Sequence, residues 1–187
     1  MLKKILAAAA ASFLFAAQAV PLKTAQGDVE IAKVPERIAV YDIGVLDSLV
    51  ALGLGDKIVG LPNAKEVGTL FEPDLEKLNA VKPDLVIVAL RSAGKRDDVQ
   101  KVARAVDLTL PGKNLYQEGL ERLNALGAAF GKAEEAKKVG DELNALRDAV
   151  KPLAADKGKV LVVLVNGPKI ALYGPDSRAG WLQAELG

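Results

Sequence analysis

The chain has no cysteine and no histidine, and each absence removes a class of chemistry. Without cysteine there are no disulfides and no thiol to carry a lipid anchor or a nucleophile. Without histidine or cysteine, zinc and related soft-metal sites lose their usual ligands, and Ser-His-Asp and Cys-His catalysis are excluded. Aromatic residues make up only 4% of the chain, with a single Trp, Trp181. An excess of positive charge is missing too: 25 basic residues stand against 24 acidic ones, which leaves no electrostatic case for nucleic acid as a partner. Gly53-Leu54-Gly55 is too short for a phosphate cradle, and no glycine loop is followed by Lys-Ser or Lys-Thr. No catalytic residues and no metal ligands are assigned, and the expectation is that the chain is not an enzyme.

What is present begins with a leader. Lys3 and Lys4 precede an apolar stretch from Ile5 to Ala17, and Ala17-Gln18-Ala19 has the small-x-small pattern of a signal-peptidase site. The stretch is short of the roughly 20 residues a membrane-crossing helix needs, so residues 1–19 read as a signal peptide cleaved after Ala19. Its removal leaves 168 of the 187 residues and 23 of the 25 basic ones, a nearly neutral chain. With no cysteine to anchor it, a free periplasmic protein is expected.

The remainder alternates strand and helix. Pro21 to Lys33 reads as two short strands with a turn at Gly27-Asp28. Arg37–Tyr41, Lys57–Leu61 and Asp84–Leu90 are apolar runs expected as buried strands, with Asp107–Leu110 a short fourth. Between them the spacing predicts helices over Val45–Leu54, Glu72–Val81 and Asp97–Val106. Such alternation calls for a mostly parallel sheet with helices on both sides. From Asn114 two helical stretches follow, separated at Gly131. The second carries Ala136, Val139, Leu143, Leu146 and Val150 at spacings of three and four, expected to pack as core. Lys159–Val165 and Ile170–Tyr173 read as a strand pair, and Gly180 to Leu186 as the start of a helix. The expected fold class is α/β: a complete N-terminal lobe (20–113), a helical connection with a long inter-lobe helix (114–157), and the opening of a second α/β lobe (158–187). A two-stranded ribbon is marginal alone, so a fragment or shortened relative of something longer is expected.

Particular segments carry a resemblance. VPERIAVYD from Val34, LDSL from Leu46 with Ala51-Leu52-Gly53, VGTLFEPDLE from Val67 followed by KPDLVI from Lys82, and ALYGPDSRAGW from Ala171 are similar to segments of periplasmic binding proteins that feed iron-siderophore or cobalamin ABC importers. The resemblance spans residues 34 to 187. It departs from the family where only Ala64-Lys65-Glu66 separates Asn63 from Val67, which implies a more open cleft rim, and at the C-terminus, where family chains continue through the second lobe.

The resemblance implies a ferric siderophore as ligand, with catecholate type favoured, no intrinsic cofactor, and an inner-membrane ABC permease as partner. Cobalamin or haem binding, or a remnant acting only as an interaction module, are the alternatives, and a monomer is expected for the full-length form. A bulky polyanion calls for cations that keep their charge and fork hydrogen bonds, which favours arginine. Arg91 follows the strand Asp84–Leu90 at the edge where open α/β sheets place ligands. It could also be a solvated loop residue. Arg178 resembles the arginine with which the second lobe reaches the ligand, with local pairing to Asp176 as the alternative. Tyr41, Asp42, Asn63 and Tyr173 are lesser ligand candidates, the tyrosines equally suited to packing. Glu76 resembles the acid with which the first lobe docks on the permease, and it would also complement a helix dipole.

Overall fold

A computed structural model describes residues 20–62, 67–155 and 157–187. The leader and Asn63 lie outside the described residues. The chain opens with an antiparallel hairpin, β1 (Val20–Thr24) and β2 (Gly27–Ile31). Its turn falls at Ala25-Gln26, two residues before the expected one, because the Thr24 hydroxyl closes it by donating to the Gly27 carbonyl at 2.6 Å.

The centre is a four-stranded parallel sheet of β3 (Ile38–Val40), β4 (Ile58–Gly60), β5 (Leu85–Val88) and β6 (Ala105–Asp107), ordered β4-β3-β5-β6. The crossovers carry α1 (Ile43–Ala51), α2 (Leu75–Ala80) and α3 (Arg96–Val99). Every residue of β3, β5 and β6 is buried, as the unbroken apolar runs of β3 and β5 require, with Asp107 at the end of β6 the buried polar exception. Alternate side chains divide between two cores. Val40, Ile87 and Val106 pack with Leu22, Leu49 and Leu126 on one face, whereas Ala39, Val86 and Val88 pack with Leu78 and Val99 on the other. Each fully buried Val, Leu or Ile contributes about 1.5–3 kcal/mol.

Boundaries differ from the sequence reading: the helices expected over Val45–Leu54 and Glu72–Val81 lie at Ile43–Ala51 and Leu75–Ala80, and the largest difference is at α3 and β6. The helix expected over Asp97–Val106 ends at Val99, and the strand expected at Asp107–Leu110 lies at Ala105–Asp107. Val99, Val102 and Val106 have helical spacing, but the edge of β5 pairs with the later residues. Val86 N donates to Arg104 O at 2.8 Å and Leu108 N to Val88 O at 2.9 Å, which fixes residues 104–108 as the next strand.

Then come α4 (Leu115–Ala129) and α5 (Ala133–Ala154), packed against each other. The apolar stripe of α5 is core only at its start: Ala136 is buried and Val139 half-buried. Leu143, Leu146, Val150 and Leu153 are exposed, contrary to the expectation for the stripe, because α6, which packs on this end of α5, leaves them uncovered. A second hairpin, β7 (Val162–Asn166) and β8 (Lys169–Tyr173), leads to α6 (Gly180–Leu186). Helix α6 is fastened to α4 and α5 through Glu185. One carboxylate oxygen accepts from Asn114 Nδ2 and Gln117 Nε2, both at 3.2 Å, and the other faces Arg147 Nη1 at 3.3 Å. Beside this knot Trp181 stacks on Tyr116 at 6.1 Å, and the Arg147 guanidinium lies 5.3 Å over the Tyr116 ring. Among the described residues no helix is long and apolar enough to cross a membrane.

Candidate ligand-binding edge of the sheet

The chain goes from β3 to β4 on one side and then crosses back to β5 on the other, so the strand order reverses between the carboxyl ends of β3 and β5. Open α/β sheets bind ligands at such a point. Here Tyr41-Asp42 leave β3 and Ala89-Leu90-Arg91-Ser92 leave β5. Ser92, fully buried, stitches the two ends together: its hydroxyl lies 2.9 Å from the Tyr41 carbonyl and 3.0 Å from the Ala89 carbonyl, while accepting from Ala89 N at 3.0 Å.

Arg91 stands at the apex of this turn. Its side chain is exposed and makes no hydrogen bond or ion pair among the described residues. Leu90 before it has φ +50, a left-handed conformation uncommon for a residue with a side chain, and is held there by its N–H donating to Thr109 Oγ1 at 2.8 Å. The backbone that presents the arginine is thus clamped on both sides, at Leu90 and at Ser92.

Arg178 reaches the same end of the lobe from the other direction. Its Cγ lies 3.9 Å from the position a Cβ would occupy on Gly112, in the loop after β6. The pairing with Asp176 does not form; Arg178 is exposed and has no ion pair among the described residues. Both flanks of the contact are fixed. Ser177 closes its turn by donating from its hydroxyl to Gly174 O at 2.6 Å. The Glu118 carboxylate accepts from the N–H groups of Gly112, Lys113 and Asn114 at 2.7, 3.0 and 3.2 Å. Burial raises the pKa of Glu118, but those three N–H bonds with the nearby Lys113 outweigh it and hold the carboxyl below its usual range.

Apolar residues are also exposed at the carboxyl ends of the strands. Ile43, Leu90 and Phe71 are 66, 47 and 57% exposed, and a cavity of about 140 Å³ between the ends of β3 and β4 is lined by Asp42, Ile43, Leu46, Leu61, Pro62 and Leu70. Underneath, the half-buried Arg122 of α4 donates from Nη1 to Leu108 O at 3.3 Å, and its guanidinium shares the space over Gly44 with the Asp42 carboxylate. Its Nε has no hydrogen-bond partner among the described residues.

A model of the periplasmic binding protein family matches residues 38–185. The chain belongs to the periplasmic binding protein family. The petrobactin-binding protein YclQ of Bacillus subtilis is 29% identical over 176 residues, covering 84% of this chain and 55% of the relative. Its crystal structure aligns with a TM-score of 0.82 at 27% identity, over 91% of this chain and 66% of that one. The iron uptake ABC transporter substrate-binding protein PiuA of Streptococcus pneumoniae aligns with a TM-score of 0.77 at 30% identity, over 89% of this chain and 64% of that one. The Fe(3+) dicitrate-binding periplasmic protein FecB of Escherichia coli is 32% identical over 126 residues, covering 58% of this chain and 41% of the relative. The chain thus spans about half the length of the curated relatives it matches.

Within this family fold the sequence-derived candidates separate. Arg91 and Arg178 lie at the carboxyl edge of the sheet and its loops. Asp42 is there too, but one oxygen already caps α1 by accepting from Val45 N at 2.9 Å. Tyr41 does not reach the mouth: its side chain is fully buried and its hydroxyl donates to Val67 O at 2.7 Å, so it packs rather than contacts ligand. Burial, with a smaller contribution from Asp74, drives its phenol pKa upward. Tyr173 is half-buried in β8 opposite Val162, and Asn63 lies outside the described residues. Glu76 is exposed in the first turn of α2. Ser92, Thr109, Glu118 and Arg122 escaped sequence reasoning, because the groups they contact stand far away in the chain or are backbone atoms without a sequence signature.

Proposed function

We propose that the chain binds a ferric siderophore in the periplasm, after cleavage at Ala19, and passes it to an inner-membrane ABC importer. The observation that carries this reading is the pair of unpaired arginines, Arg91 and Arg178, at the carboxyl edge of the sheet. A ferric catecholate is a bulky anion with aromatic faces, and unpaired guanidinium groups on an edge that also exposes Ile43 and Leu90 suit both features. The relatives named for ferric ligands, among them the ferric-anguibactin-binding protein FatB of Vibrio anguillarum at 27% identity, support iron as the cargo. Asp42, at the carboxyl end of β3, and Tyr173, five residues before Arg178, are proposed as secondary contacts. Glu76 is proposed as the first lobe's docking acid for the permease, and the segments 20–113, 114–157 and 158–187 as first lobe, connection and opening of the second lobe.

The test is a fluorescence titration following Trp181 with the ferric complex of 2,3-dihydroxybenzoate, an anion, against cyanocobalamin, which lacks net negative charge. Saturable quenching by the ferric complex, absent with cobalamin, is the expected result. No response up to about 1 mM, the edge of measurable affinity, overturns the proposal. A response to cobalamin alone overturns the siderophore assignment.

A further inference from the structure

We propose that Gln26, Asp107 and Thr109 form a positioning relay that runs from the N-terminal hairpin to Leu90 and fixes where Arg91 leaves the backbone. The ligand part of this inference rests on the function proposed above.

The relay begins with an ionisable group in an unusual place. Asp107, the last residue of β6, is 4% exposed and makes no ion pair among the described residues. A buried carboxylate without a cation is costly unless its lone pairs are satisfied. They are satisfied by neutral donors. Oδ1 accepts from Thr109 N at 2.9 Å and from the Thr109 hydroxyl at 2.5 Å, and Oδ2 accepts from Gln26 Nε2 at 3.1 Å. Ala25 N also donates to the Asp107 carbonyl at 2.9 Å, so the hairpin tip is seated on β6 through both backbone and side chain.

Thr109 passes the constraint onward. Its hydroxyl hydrogen is committed to Asp107, which leaves an oxygen lone pair for the Leu90 N–H, 2.8 Å away and 19 residues earlier in the chain. That bond holds the one residue of this turn with positive φ, immediately before the unpaired arginine. A left-handed leucine costs on the order of 1 kcal/mol or more and persists only where its surroundings fix it. A buried carboxyl suits the relay because its oxygen takes the threonine hydrogen and so leaves the hydroxyl oxygen facing Leu90. An arginine whose backbone is already fixed loses less freedom on meeting an anion than one on a mobile loop, so the relay is expected to contribute to affinity.

The test compares Thr109→Val, which keeps shape and removes the hydroxyl, with Thr109→Ser, which keeps it. Without ligand, amide exchange at Leu90 is expected to speed up about tenfold in the valine variant and to return to the parent rate in the serine variant. In titrations with ferric 2,3-dihydroxybenzoate, Thr109→Val is expected to weaken binding about threefold to tenfold, and to have no further effect in an Arg91→Ala background. Unchanged Leu90 exchange in a folded valine variant overturns the relay. So does an equal loss of affinity with and without Arg91, which would mark Thr109 as acting through general stability. If the parent protein fails to bind the ferric complex, the proposed function falls and the exchange comparison still decides the relay.

Discussion

Strand β5 and hairpin β7–β8 are built from nearly the same residue types, and they live in opposite environments. In LVIV of β5 every residue is buried, whereas Val163, Leu164, Val165, Ile170 and Leu172 of the hairpin are 44 to 68% exposed. The cause lies in what covers them. β5 has a strand on either side and a core on each face; β7 and β8 have only each other among the described residues. The exposed half of the α5 stripe belongs to the same uncovered region. What keeps this region attached is polar and aromatic: Glu185 with Asn114, Gln117 and Arg147, and the Tyr116–Trp181 stack. Apolar sequence therefore marks where a core can form, and burial depends on whether a neighbour is present.

The contrast is open to mutation. Ile87→Ala, in the centre of β5, is expected to cost about 2–5 kcal/mol in urea unfolding, whereas Leu164→Ala on β7 should cost less than about 0.5 kcal/mol. Similar losses would break the comparison. Next in size is Gly68→Ala. Gly68 has φ +95, and a Cβ there would lie 2.4 Å from both Asp74 N and Glu72 O, in the turn that Tyr41 ties to the first lobe. A destabilisation of about 2–4 kcal/mol is expected, with denaturation midpoints as the check. Tyr41→Phe removes the buried bond to Val67 and should cost about 0.5–1.5 kcal/mol while leaving the affinity for a ferric ligand unchanged. Loss of affinity without loss of stability would return Tyr41 to the binding mouth.

The smallest effect concerns pH. The carboxyl of Glu118 has a folded-state pKa below its usual value, so the unfolded chain binds its proton more tightly. Its contribution is present above the unfolded value and is lost as pH falls through the folded one. Glu118→Gln is therefore expected to flatten the acid limb of the stability profile, measured as thermal midpoint against pH. An unchanged acid limb would show that the Gly112 loop is held by other contacts.

The sheet was largely legible in the sequence because a strand buried on both faces must be apolar throughout, and Leu85–Val88 says so directly. The α3–β6 boundary was not, since Val99, Val102 and Val106 fit a helix as well as the strand that β5 selects. Arg91 could be found because it follows a recognisable strand. Thr109 could not, since the Leu90 amide it holds is 19 residues away and nothing local distinguishes it from any loop threonine. Tyr41 shows the opposite error: its position at a strand end suggested the mouth, and only its hydrogen bond to Val67 shows that the ring turns into the core.

The central claim is that Arg91 and Arg178 act together on one anion. It is tested most directly by titrating ferric 2,3-dihydroxybenzoate against the parent chain, Arg91→Ala, Arg178→Ala and the double variant, at two salt concentrations. Each single variant is expected to lose about tenfold in affinity, with a double-variant loss that departs from the product of the two and a weaker salt dependence. Parent-like affinity and salt dependence in both single variants would contradict the account.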